Sequence, residues 1–139
     1  VPDILVCNGW QSALIPNYYK NEYEGISEFY KKIKSVLVVH DLDDYSKVDR
    51  SDLVKMGVEI DPKVKGNKLN IYDVASYNAD AILIMDRPGE KISSKLLKKA
   101  AFKDNQKKVT VFEQVDLEEI DFYAMTESLN QIVSDITSK

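Results

Sequence analysis

The sequence predicts an α/β fold: a three-layer sandwich whose mostly parallel sheet of about four strands lies between helices. Two patterns predict it. Short, continuous apolar runs recur along the 139 residues: ILVC at 4–7, VLVV at 36–39, AILIM at 81–85 and VTVF at 109–112. Unbroken runs of this kind, rather than alternating ones, suit strands covered on both faces. Between the runs lie stretches with apolar residues at helical spacing. A strand–helix–strand alternation implies right-handed crossovers and parallel pairing.

The first strand is expected over Asp3 to Cys7, buried on both faces and punctuated by Gly9. Ser12 to Tyr23 then reads as a helix, with Leu14, Ile15, Tyr18 and Tyr19 at helical spacing. Pro16 sits near its start, where a missing N–H is tolerated. Lys34 to His40 (KSVLVVH) is the strongest strand signal and runs into the acidic segment HDLDDYSK. Asp52 to Val58 is a short helix stopped by Gly57, and Pro62 to Lys68 a basic loop. Leu69 to Tyr77 is a helix with Ile71, Tyr72, Val74 and Ala75 on its apolar side. Ala79 to Met85 forms the third strand, broken by the turn Asp86-Arg87-Pro88-Gly89. Ser93 to Phe102 is an amphipathic helix, with Leu96, Leu97, Ala100 and Ala101 opposite Lys95, Lys98 and Lys99. Lys108 to Phe112 is the fourth strand. Asp121 to Ile136 closes the chain as a helix, with Phe122, Met125, Leu129, Ile132, Val133 and Ile136 spaced for one face. With no internal repeat or low-complexity linker, residues 1–139 read as a single α/β domain.

The formal net charge is -4, and the paired lysines (Lys31-Lys32, Lys98-Lys99, Lys107-Lys108) have acidic neighbours. A nucleic-acid binder usually carries a basic excess, so no nucleic-acid partner is expected. No apolar run approaches membrane-span length and no secretory signal is visible, so no membrane partner is expected either. Cys7 is the only cysteine and His40 the only histidine. An internal disulfide and a Cys/His metal cluster are therefore excluded, and the lone thiol points to a reducing, cytoplasmic compartment.

In open α/β sheets, ligands bind outside the carboxyl ends of the strands. That rule selects Asn8-Gly9-Trp10-Gln11-Ser12, His40-Asp41-Leu42-Asp43-Asp44, Asp86-Arg87-Pro88-Gly89-Glu90 and Glu113-Gln114. Gly9 before a helix lets backbone N–H groups approach an anion, and Trp10 offers an apolar face to a sugar ring or a base. Each has a structural reading too: Gly9 as a turn residue, Trp10 as core, His40 as a satisfied strand-end histidine. Asp41, Asp43 and Asp44 suggest a cation, but they lack the glycine and terminal glutamate of an EF-hand, and no metal site is assigned. The sequence has no Walker loop, G-x-G-x-x-G or G-x-S-x-G motif.

The opening stretch VPDILVCNGWQSALIPNYYK resembles the glycogen and starch synthase family, whose segment reads P-D-[IV]-[IV]-H-x-H-[DG]-W-x-[ST]-[AG]-L-x-P-x-Y. Pro2-Asp3, Gly9-Trp10, Ser12-Ala13-Leu14, Pro16 and Tyr18 carry the likeness. KSVLVVHDL is similar to the next family strand, which commonly ends His-Asn-Leu. Asn78-Ala79-Asp80 and Pro88-Gly89-Glu90-Lys91-Ile92 match the later stretches A-x-x-Y-A-D and V-S-P-x-Y-x-E-E-I. The closing segment IDFYAMTESLNQIV is similar to the Tyr-rich last helix of shorter relatives in Bacteroidetes-type bacteria.

The resemblance implies the second half of an N-terminal Rossmann-like domain, with the upstream strands lying outside this sequence. It implies glucosyl transfer from a nucleotide sugar to an α-1,4-glucan, without a further cofactor. Asn8, Gly9, Trp10, Gln11, His40 and Asp41 would be substrate-binding; no catalytic residue is assigned. α-Glucan or a nucleotide sugar would be partners of the full-length protein. The departures are specific. The family's His before the Gly-Trp pair is Asn8, its other motif His is Val6, and the Ser of V-S-P is lost in Met85-Asp86-Arg87-Pro88. Asn can hydrogen-bond a hydroxyl but cannot act as an acid or carry positive charge. The Lys-x-Gly-Gly donor loop and the second domain also lie outside the sequence. The isolated chain is therefore expected to be an inactive fragment or degenerate relative. The alternative is a non-catalytic protein-interaction or glucan-binding module, consistent with eight tyrosines and with a homodimer formed through an open sheet edge. A receiver-like phospho-acceptor domain shares the size and unit count, but no Lys stands at the required strand end.

Overall fold

The computed structural model describes residues 3–116, 118–119 and 121–138; Pro2 of the opening motif lies outside them. Its main sheet has four parallel strands in the order β1 (Ile4–Asn8), β2 (Lys34–Val39), β5 (Ala81–Asp86), β6 (Val109–Glu113). A small antiparallel ribbon pairs β3 (Lys47–Asp49) with β4 (Lys68–Asn70). The helices are α1 (Ile15–Tyr18), α2 (Glu28–Lys31), α3 (Arg50–Lys55), α4 (Ile71–Ser76), α5 (Ile92–Leu96), α6 (Ala100–Asp104) and α7 (Phe122–Thr137). This is the α/β, mostly parallel architecture that the apolar runs predict. Among the described residues no helix is long and apolar enough to cross a membrane.

Strand neighbours in the main sheet follow sequence order, without a reversal. Right-handed crossovers that always step in one direction deliver their helices to one face. The packing agrees. Leu37, Val39, Ile82 and Ile84 meet Tyr72 and Ala75 of α4, Ile92 and Leu96 of α5 and Phe102 of α6. Side chains alternate along a strand, so Val36, Val38, Ala81, Leu83 and Phe112 face the other way, where Ile132 and Ile136 of α7 cover them. A third cluster, Leu53, Val58, Val64, Leu69 and Val74, lies beneath α3 and the ribbon.

Several elements differ from the sequence expectation. Only Cys7 of β1 is buried and Val6 is 50% exposed, because β1 has one strand neighbour among the described residues. The helix expected over Ser12 to Tyr23 is α1 followed by a π-helical turn, Tyr19–Tyr23. Pro16 has no N–H to give the Ser12 carbonyl, which takes the Ile15 N–H instead at 3.1 Å and keeps the entry in tight turns. Leu69 and Asn70 leave the expected helix for β4, and the Asn70 side chain caps α4 by accepting the Tyr72 N–H at 2.9 Å. The expected Ser93 to Phe102 helix is interrupted at Lys99, whose extended backbone separates α5 from α6 and whose Nζ pairs with Asp73 at 2.8 Å. The break lets Leu96 and Phe102 both reach the core. On α7, Ile132 and Ile136 pack as expected, but Phe122 is 65% exposed at the first turn.

Gly57 ends α3 as anticipated. Its backbone is left-handed (φ +78°), its N–H bonds the Val54 carbonyl, and the Val58 N–H reaches the Leu53 carbonyl, each at 3.0 Å. This is a Schellman closure, and its accompanying apolar pair, Leu53 and Val58, belongs to the third cluster. Pro88-Gly89 likewise forms the tip of a tight turn in which Arg87 and Glu90 exchange backbone bonds at 3.0 and 3.3 Å.

Candidate functional site

The loops leaving β1 and β2 meet at the carboxyl edge of the sheet. The Gly9 N–H donates to the Val38 carbonyl at 3.0 Å, extending the strand ladder by one rung before the chain turns. The turn needs φ +76° at Gly9, a region costly for any residue with a Cβ. Space forbids one as well: a Cβ there would lie 3.0 Å from Gln11 Oε1 and 3.1 Å from His40 Nε2. Gly9 is thus the floor on which the Gln11 amide and the His40 imidazole approach each other.

Trp10 rests on the larger core cluster and stacks on Tyr45, with centroids 6.0 Å apart and planes at 18°. Tyr45 is 73% exposed and sits in a short turn that Asp43 caps by accepting the Tyr45 N–H at 3.1 Å. The β1 and β2 loops thus lie side by side, Trp10 following β1 and Tyr45 following β2.

His40 is held from behind. Its Nδ1 lies 3.0 Å from Asp41 Oδ2, and the other Asp41 oxygen accepts the Tyr72 hydroxyl at 3.3 Å. Tyr72 is fully buried at the start of α4. Burial, then the Asp41 carboxylate, push its phenol well above the ordinary 10.0, while the Trp10 backbone N–H on the phenol oxygen acts the other way. The hydroxyl therefore stays protonated and ties α4 to the end of β2 through Asp41.

Of the sequence-selected residues, Gly9, Gln11, His40 and Asp41 come together, with Trp10 alongside. Asn8 does not join them. It pairs with Val38 in register, so strand alternation places it toward the α7 face, and its carbonyl accepts the Ser12 hydroxyl at 2.8 Å. The other two strand ends are occupied structurally. Asp86 is buried and accepts the Ser93 N–H at 2.9 Å as well as the Ser93 hydroxyl, which anchors α5. Gln114 N–H bonds the Asp86 carbonyl at 2.9 Å, and Lys91 pairs with Glu113 at 3.0 Å. The acidic segment also disperses: Asp41 serves His40, Asp43 caps its turn and Asp44 pairs with Lys47 at 2.7 Å. Among the described residues no three His, Cys, Asp or Glu side chains gather to hold a metal ion. Sequence reasoning missed Tyr45 and Tyr72. Tyr72 reads as one more apolar residue on a helix face, and its hydroxyl finds its partner 31 positions away.

The family model of the starch synthase catalytic domain matches residues 1–89. This chain belongs to the starch synthase catalytic domain family. Glycogen synthases of Lachnospira eligens and Clostridium perfringens are each 36% identical to it, over 86 and 87 residues, or 62% of this chain. That of Lactococcus lactis is 42% identical over 43 residues, 31% of the chain. The chain spans about a fifth of the length of the first two, 18% of each, and 9% of the third. In this starch-synthase-family chain the match runs from β1 to the turn after β5 and takes in all six candidate residues. The segment resembling the Tyr-rich closing helix lies beyond it.

Proposed function

We propose that this chain forms part of the sugar-binding face of a glycogen or starch synthase, working in cytoplasmic carbohydrate metabolism, and that on its own it binds α-1,4-glucan without transferring glucose. The observation that carries the reading is the His40 imidazole, backed by Asp41, with Nε2 beside Gly9, whose neighbour Trp10 stacks on the exposed Tyr45. An aromatic face covers the C–H side of a pyranose, while the imidazole and the Gln11 amide reach its hydroxyls. Glucosyl transfer also requires stabilisation of the departing nucleoside diphosphate. The cluster of Gly9, Gln11, His40 and Asp41 offers no fixed cation for that charge, and position 8 is Asn rather than the family's His.

Trp10 is the single tryptophan, so its fluorescence reports the site directly. Titration with maltoheptaose should give a saturable change in the millimolar range that is lost in Tyr45→Ala. ADP-glucose with maltoheptaose acceptor should give no elongation. An unchanged spectrum at millimolar sugar would overturn the binding assignment, and measurable elongation would overturn the assignment of inactivity.

A further inference from the structure

We propose that Tyr72 is the positioning residue of this site: through Asp41 it locks His40 in the tautomer protonated at Nδ1, leaving Nε2 as an acceptor for a sugar hydroxyl. The sugar-binding part rests on the glucan reading above; the tautomer lock does not.

The argument follows the protons. An ionised carboxylate only accepts, so the 3.0 Å contact between His40 Nδ1 and Asp41 Oδ2 requires the proton on Nδ1. In a neutral imidazole the other nitrogen is then an acceptor. What fixes Asp41 is Tyr72. Its hydroxyl donates to Asp41 Oδ1 at 3.3 Å, and its ring is fully buried, so the donor cannot swing away. That bond is the one the hydroxyl makes to another side chain, so its proton is committed to Asp41. The result is a connected network in which the Tyr72 hydroxyl and His40 Nδ1–H each donate to one oxygen of the Asp41 carboxylate. Such networks polarise their members and hold them more firmly than separate bonds do. Asp41 is only half-buried, and without Tyr72 its carboxylate would rotate into solvent and release the ring.

The structure also assigns the ligand side. His40 Nε2 and Gln11 Oε1 both crowd over Gly9, within 3.1 Å of where a Cβ would stand, so two acceptors lie side by side on the same turn. A group with adjacent hydroxyl donors suits that pair: a polyol or pyranose rather than an anion.

His40 is the only histidine, so a ¹⁵N-labelled sample of the full chain gives one set of ring signals. At alkaline pH, where imidazole is neutral, the wild type should show protonated Nδ1 and bare Nε2. Tyr72→Phe keeps the buried ring and removes only the hydroxyl; it should lose the single-tautomer signature, with Nε2–H signal appearing. Asp41→Ala should give the same loss with Tyr72 intact. Maltoheptaose affinity should fall roughly 5- to 10-fold in Tyr72→Phe, the worth of one ordered hydrogen bond. Nε2–H as the main wild-type form, or an unchanged tautomer in Tyr72→Phe while Asp41→Ala disturbs it, would overturn the proposal. A wild type with protonated Nδ1 that binds no maltoheptaose would overturn the glucan reading and leave the Tyr72 lock standing.

Discussion

Replacing Gly9 with alanine separates two effects that usually arrive together. The first is backbone strain: φ is +76° at Gly9, and a Cβ in the left-handed region costs about 1–2 kcal/mol. The second is contact: the new methyl would sit 3.0 Å from Gln11 Oε1 and 3.1 Å from His40 Nε2. Both atoms are ends of side chains and can give way, but moving the imidazole breaks its bond to Asp41, a net loss of about 0.5–1.5 kcal/mol. The sum is about 1.5–3.5 kcal/mol. Gly57 provides the control. Its φ is +78°, and a Cβ there meets nothing within 4 Å, so Gly57→Ala carries the strain alone. Urea unfolding of both variants, followed by circular dichroism and extrapolated linearly, gives the difference. Gly9→Ala should be the more destabilised by about 1 kcal/mol. Equal losses, within a few tenths, would refute the claim that Gly9 is held free by its neighbours.

Two further outcomes follow from buried groups. Burial pushes the Cys7 thiol from its ordinary 9.0 to about 11, so the unfolded chain releases that proton first. The contribution is full below pH 9 and is lost as pH rises toward 11; the urea midpoint should fall across that window less in Cys7→Ala than in wild type, and equal slopes would refute it. Asp86→Ala removes the acceptor for the Ser93 N–H and hydroxyl in a buried setting and should cost about 1–3 kcal/mol, read from the same unfolding curves; a loss under half a kcal/mol would mean that α5 needs no such anchor.

The main sheet is legible in the sequence because its inner strands must be apolar on both faces, and KSVLVVH and ADAILIM have no other comfortable environment. The β3–β4 ribbon is not. Lys-Val-Asp and Lys-Leu-Asn each present a single apolar residue, and what pairs them is the shared cluster under Val48 and Leu69, which no local pattern announces. The break at Lys99 is equally silent, since lysine is a good helix former and the reason to stop lies in seating both Leu96 and Phe102. At the site, Gly9, His40 and Asp41 are predictable from their positions at strand ends. Tyr72 and Tyr45 are not, because a tyrosine's polar tip takes its meaning from a partner that only the fold supplies. Asn8 illustrates the reverse: its place in a motif suggests the site, but the two-residue period of the strand turns it to the other face.

The sequential strand order bears on how the chain comes into being. Each strand of the main sheet hydrogen-bonds to the one made before it: β2 to β1, β5 to β2, β6 to β5. Among the described residues no strand inserts between two that are already joined. Over these four strands a growing polypeptide can therefore extend the sheet one strand at a time as it leaves the ribosome. Loss of α7 and then β6 would peel the structure from one side without unpairing β1, β2 and β5. Domain-wise folding in the order of synthesis is a general feature of protein production; here the topology extends that directionality down to single strands.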